Sequence, residues 1–302
     1  MIVFCIAAIV YMIQWKEAPT VIKQPKKETR QTRLPAVTPQ VEKKAPVKEK
    51  PAQPAKEKEK IVISKIEKIP APLRQIAIII DDIGYDLGPV RELMKIDADI
   101  TFSILPLCSH SHEAAEMLHN AKKETLLHLP MEPNSYPREK PGNGALFTDM
   151  NDKELLYQLD KDLASVPFIS GVNNHMGSKF MGDEEKLTLI FNRLKKRNLF
   201  FIDSRTTSNT KASAASEKVG LQLASRKIFL DNSRDYDQIY KKLIDIAENT
   251  GAGDVSPIII IGHPYPETIR AIKNAAAVLR QKGVLVVPAS KLIKEKAASG
   301  SS

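Results

Sequence analysis

From Ile76 to Val287 the chain repeats one unit: a short run of β-branched apolar residues, then a longer stretch with helical spacing. The runs are IAIII (76–80), DITFSI (99–104), ETLLHL (124–129), FISGV (168–172), LFFID (199–203), KIFLD (227–231), PIIIIG (257–262) and GVLVV (283–287). Several are apolar without alternation, which a strand tolerates only when both of its faces are buried, as in a parallel sheet. The intervening stretches 112–121, 152–164, 183–197, 235–249 and 266–283 carry helix-spaced apolar residues. Asp152 and Asp183 stand at N-cap positions and Gly283 at a C-terminal stop. Strands alternating with helices predict an α/β fold with parallel strands. A closed or nearly closed barrel and an open doubly wound sheet both fit.

The polar residues favour the barrel, whose working groups gather at the carboxyl ends of several strands. Asp81 and Asp82 end the first run and His128 the third. Asn173, Asn174 and His175 end the fourth, Asp203 the fifth, Asp231 the sixth and His263 the seventh. No Gly-rich phosphate loop follows the first run, which removes the dinucleotide-binding reading. There is no Gly-x-Ser-x-Gly elbow for a serine nucleophile. Cys5 and Cys108 are the only cysteines, with no zinc-type spacing and no disulfide framework.

Each strand-end group has a plain structural reading beside a chemical one. Two carboxylates after a buried strand are costly unless paired or bound to a cation, so IIIDDIG (78–84) is either a capped turn or a divided pair, one Asp for a cation and one as a base. His128 in LLHLPMEP, with Glu132 close behind, is either a satisfied core histidine or a ligand. GVNNHMGSKF offers Asn173 and Asn174 for orientation and His175 as a metal ligand, or else an Asx-rich turn. Asp203 in FIDSRT can hold a histidine in one tautomer. His263, between Gly262 and Pro264, suits a general acid. In SHSHEAAEMLH, His112 and His119 read as helix surface, whereas His110 can face the site.

Charge and hydropathy isolate the N-terminal part. Residues 1–15 are almost wholly apolar, short of the ~20 residues of a spanning helix. Trp15 followed by Lys16 suits an interfacial boundary, and the segment is expected to be a signal anchor or signal peptide. Residues 16–60 hold 13 Lys and Arg against 6 Glu, which accounts for +7 of the chain's net +9. The folded part is therefore nearly neutral and no nucleic-acid-binding stripe is present. Residues 16–69 read as a disordered Lys/Pro/Glu-rich tether, 70–294 as the (β/α) barrel domain and 295–302 as a disordered tail.

Taken in order, IIIDDIG, LLHLPMEP, NNHMGSKF, FIDSRT and IGHPYPET resemble the divergent polysaccharide deacetylase family, a branch of the NodB-related carbohydrate esterases, from about Arg74 to Leu292. The resemblance implies a distorted (β/α) barrel of about seven to eight parallel strands. It implies a location in the bacterial cell envelope, on the periplasmic side, and a metal-dependent hydrolase acting on acetylated carbohydrate. Position by position it implies Asp81 as catalytic base, Asp82 as a metal ligand and His263 as general acid. The family's usual His-x-x-x-His pair is broken here, since only His128 is present. His175 is expected to supply the missing ligand, so that Asp82, His128 and His175 hold a divalent metal, zinc first. Asn173, Asn174, Asp203, Glu132 and His110 are expected to contact a glycan substrate. A non-catalytic glycan-binding or envelope scaffold on the same fold is the alternative.

Overall fold

A computed structural model describes residues 74–248 and 258–293; the expectations for 1–15, 16–69 and 295–302 lie outside the described residues. The elements run β1 (Arg74–Ile83), α1 (Gly88–Met94), β2 (Thr101–Ile104), α2 (Ser111–Asn120), β3 (Thr125–Met131), α3 (Asp152–Ser165) and β4 (Gly171–Met176). After a 3₁₀ turn (Phe180–Gly182) come α4 (Glu184–Lys196), β5 (Phe200–Asp203), α5 (Ala212–Val219), β6 (Leu223–Ser225), β7 (Ile228–Phe229), α6 (Tyr236–Glu248), β8 (Ile258–Gly262), α7 (Pro266–Gln281) and β9 (Val284–Val286).

All pairings between these strands are parallel, in the order β6-β5-β4-β3-β2-β1-β8-β7, with β9 lying against the start of β1. The sheet curls into a distorted barrel. Its edges are not joined by a ladder among the described residues. Instead the chain itself crosses the gap: the Arg226 N–H donates to the Asp203 carbonyl on β5, and the next N–H, of Lys227, donates to the Ile259 carbonyl on β8.

Alternation along β1 builds two cores. Ile76, Ile78 and Ile80 pack outward under the helices, while Ala77 and Ile79 fill the barrel with Leu126, Phe200, Ile202, Ile259 and Ile261. Burying each such isoleucine contributes roughly 1.5–3 kcal/mol. That is enough to carry a polar cluster at the end of the same strand.

The eight expected strands are all present, with two differences of extent. β3 continues through His128 to Met131 and β4 contains Asn173 to His175, so these groups lie within strands and not after them. β6 was hidden from the sequence because three residues carry no periodicity. Helix α1 opens on Gly-Pro and α5 is small-residue rich, so neither shows an apolar stripe. The cap of α3 is Asn151, in a capping box with Glu154, and Asp152 is the first helical residue. Asp183 does cap α4. Among the described residues no helix is long and apolar enough to cross a membrane.

Candidate metal and hydrolytic centre

The register shifts between Ile80 and Ile83, a bulge at the two aspartates, and Asp82 takes a left-handed backbone with φ 57°. Bulges of this kind re-aim side chains at barrel rims. Asp81 keeps the inward parity of Ala77 and Ile79 and is 3% exposed. Asp82 would point outward on a regular strand; its twisted backbone turns it to the same mouth, where both carboxylates approach His128 Nε2, at 3.5 Å for Asp81 and 3.3 Å for Asp82.

His128 and His175 come from neighbouring strands in register: His128 lies opposite Asn173, and Pro130 opposite His175. His175 Nδ1 sits 3.2 Å from His128 Nε2 and 3.1 Å from Asp82 Oδ1. One atom from each of Asp82, His128 and His175 lies within 4.8 Å of the other two. Asp82 Oδ1 is buried and has no hydrogen-bond partner of proper geometry among the described residues. A buried carboxylate oxygen whose only close partners are two imidazole nitrogens, without a hydrogen bond of proper geometry, is a place where a cation would complete the set. One Asp and two His are a fitting donor set for a zinc-type ion with open positions. Burial alone would raise the Asp82 pKa, but the adjoining His128 and His175 hold it well below the carboxylate range.

Asn173 is the hub beneath these groups. Its Nδ2 donates to Asp81 Oδ1 at 2.9 Å and to Ser204 Oγ at 3.3 Å. Its Oδ1 accepts from Ser103 Oγ and lies 2.8 Å from His128 Nδ1. A carboxylate only accepts, so Asp81 fixes which end of the amide is NH₂. The amide oxygen then requires a proton on His128 Nδ1, which leaves Nε2 with its lone pair toward the centre. Desolvation, opposed by His128 and the Asn173 hydrogen bond, raises the Asp81 pKa.

His263 stands at the end of β8. Its backbone N–H donates to Asp231 Oδ2 at 2.6 Å, and its Nδ1 lies 3.0 Å from Asp231 Oδ1. Thr268 Oγ1 donates to the same carboxylate at 2.8 Å. Nε2 faces the centre, 3.7 Å from Asp82 Oδ2. Burial disfavours the charged imidazole, but Asp231, Asp82 and Asp81 outweigh it and raise the His263 pKa.

Asp81, Asp82, His128, His175 and His263 are thus brought to one point. The groups expected on substrate are placed differently. Asn173 is fully buried and committed to protein partners. Asn174 is a loop clamp: its Oδ1 accepts from Ser204 N, and its Nδ2 donates to the Met176 carbonyl and Thr206. Asp203 is buried and accepts from Arg205 N. Glu132 is spent on Thr148 and Lys179. His110 pairs with Glu113 on the surface. The polar atoms of Asn173, Asn174, Asp203 and Glu132 thus engage protein groups around the centre, and His110 is paired with Glu113 at the start of α2. Sequence reasoning missed the roles of Asp231, Ser103 and Thr268. Asp231 carried the strand-end signal; the two hydroxyls, being common in strands and helices, carried none. A cleft of about 600 Å³ opens on the same end of the sheet, lined by Asn134, Ser178, Lys179, Thr207 and Asn209 among others.

Comparison with known proteins gives a consistent placement. Residues 78–293 match the family described as divergent polysaccharide deacetylase. YibQ of Escherichia coli K12, an uncharacterized protein, is 34% identical over 225 residues, covering 73% of this chain and 68% of its own. An uncharacterized protein of Haemophilus influenzae KW20 is 29% identical over 202 residues, 66% of this chain and 70% of that one. The crystal structure of an uncharacterized Agrobacterium tumefaciens C58 protein superposes with a TM-score of 0.68 at 20% identity, over 72% of this chain and 89% of that one, which shows a shared fold.

Proposed function

The chain belongs to the divergent polysaccharide deacetylase family, and on that premise we propose that it hydrolyses acetyl groups from a carbohydrate with a divalent cation, zinc first, held by Asp82, His128 and His175. The observation that carries this reading is the convergence of one ligand atom each from Asp82, His128 and His175 within 4.8 Å of one another. An ion there supplies Lewis-acid polarisation of the acetyl carbonyl and a more acidic water. Asp81, one oxygen fixed by Asn173 and the other toward the centre, takes the proton of the attacking water. His263, with Nδ1 tied to Asp231, presents Nε2 to the leaving group. The Asp231 carboxylate behind Nδ1 favours the charged imidazole, which suits donation of a proton from Nε2 to the departing amine or hydroxyl. The products are acetate and the freed amino or hydroxyl group. The apolar residues 1–15 and the charged stretch 16–69 support an envelope location, with the barrel tethered or exported on the periplasmic side.

The test is elemental analysis of the full chain together with acetate release from N-acetylated oligosaccharides. We expect one zinc per chain, lost in His175→Ala. Asp81→Asn should keep the zinc and lose turnover by about 10²–10⁴-fold. A wild-type protein that stays empty after zinc addition would overturn the metal assignment and favour the non-catalytic binding module.

A further inference from the structure

The carboxyl ends of β5, β6 and β7 each lead into an arginine: Arg205, Arg226 and Arg234. Two of them flank His263 through an aromatic ring each. Arg226 Cζ lies 4.9 Å from the Phe229 ring centre, and Phe229 meets His263 edge-on at 5.4 Å. On the other side Tyr265 stacks on His263 at 5.4 Å, and Arg234 Cζ lies 3.7 Å over the Tyr265 ring. Arg226 is committed, donating from Nε to the Ser204 carbonyl at 2.7 Å and from Nη2 to the Arg205 carbonyl at 3.1 Å. Arg205 and Arg234 are exposed, and neither has an ion-pair partner among the described residues. Nearby carboxylates are already used: Asp203 accepts from Arg205 N, Asp231 holds His263, and Asp235 caps Gln238 N.

A guanidinium stacked by its face on an aromatic ring keeps its edge N–H groups free for a planar anion. Arg234 is such a cation, stacked on the Tyr265 ring that lies against His263, and Arg205 is a second exposed cation at the end of β5, its carbonyl held by Arg226; together they would meet the part of a glycan that departs with the freed amine or hydroxyl. Resting on the deacetylase reading, we propose that the substrate is an anionic glycan, with a carboxylate on the sugar next to the acetylated one, read by Arg205 and Arg234. Arg226 is a positioning residue that holds the Arg205 loop and the Phe229 wall.

Calorimetry on the full chain with two probes tests this. A hyaluronan tetrasaccharide and tetra-N-acetylchitotetraose both carry N-acetylglucosamine, and only the first carries carboxylates. We expect about tenfold tighter binding of the carboxylated probe, declining with salt. The Arg205→Gln/Arg234→Gln variant should lose that preference and keep its affinity for the neutral probe, and each single variant should lose part of it. Equal affinities, a preference that survives the double substitution, or no binding of the carboxylated probe would each overturn the proposal. None of these outcomes touches zinc retention or acetate release from the neutral probe, on which the underlying reading stands or falls separately.

Discussion

Asn173 shows what one buried amide can do in this centre. Its two ends are chemically opposite, one facing a carboxylate and the other a histidine and a serine. Neither could be exchanged without setting oxygen against oxygen. The amide thereby orients the proposed base and dictates the tautomer of a proposed ligand at once. Groups that hold a ligating histidine from behind commonly contribute 10–100-fold to metal affinity. We therefore expect Asn173→Ala to weaken zinc binding by about 10–100-fold in a calorimetric titration, with a lowered melting temperature from the orphaned Ser103 and Asp81. An unchanged zinc affinity would mean that His128 needs no fixed tautomer. At this scale the five residues that the structure gathers, Asp81, Asp82, His128, His175 and His263, each stood out in the sequence near the end of an apolar run. The sequence was silent on direction. Whether Asn173 faces substrate or the protein depends on strand parity and on Ser103, 70 positions away, and no local pattern records either.

At the scale of the element, β4 is the strand on which the centre is hung, and its first residue constrains its seat. A methyl group at Gly171 would lie 2.3 Å from the Phe200 ring of β5, so the ring lies directly over the glycine. Gly171 and Phe200 are register partners. Gly171→Ala must displace the ring, and overpacking of this kind costs roughly 1–3 kcal/mol. In denaturant titrations the loss should shrink when Phe200→Leu is present as well, and strictly additive effects would show that the two sites do not meet. The sequence displayed β4 only as FISGV, two residues of which belong to the strand. Its polar half, Asn173 to His175, breaks the apolar signal by which strands are recognised, so these residues were read as following the strand and not as part of it. β6 was hidden for a different reason, being only three residues long, whereas uninterrupted β1 and β8 were plain.

For the molecule as a whole, the parallel barrel was legible because strands buried on both faces must be largely apolar, and of the eight recurring runs several are apolar throughout. The way the barrel closes, by a chain crossing at Arg226 and Lys227, was not, since it depends on backbone bonds to two distant strands. One feature outside the centre sets how the folded molecule should respond to pH. Asp162 on α3 is buried against Gly144, accepts from Gln158 Nε2 at 2.8 Å, and leaves its second oxygen unpartnered among the described residues. Burial, only partly offset by Gln158 and Lys161, raises its pKa from 3.8 to about 7. The native state therefore keeps a proton that the unfolded chain releases above pH 3.8. The stabilisation from this proton is complete below that pH, declines as pH rises toward about 7, and is gone above it. A shift of this size corresponds to a few kcal/mol, on the order of 4. Melting temperatures measured from pH 5 to pH 8 should fall for the wild type. In Asp162→Asn, which keeps the acceptor for Gln158 and has no charge to bury, the slope should flatten and the protein should be the more stable of the two at pH 8. Parallel curves for the two proteins would place the pH response on other groups and leave Asp162 ionised in its pocket.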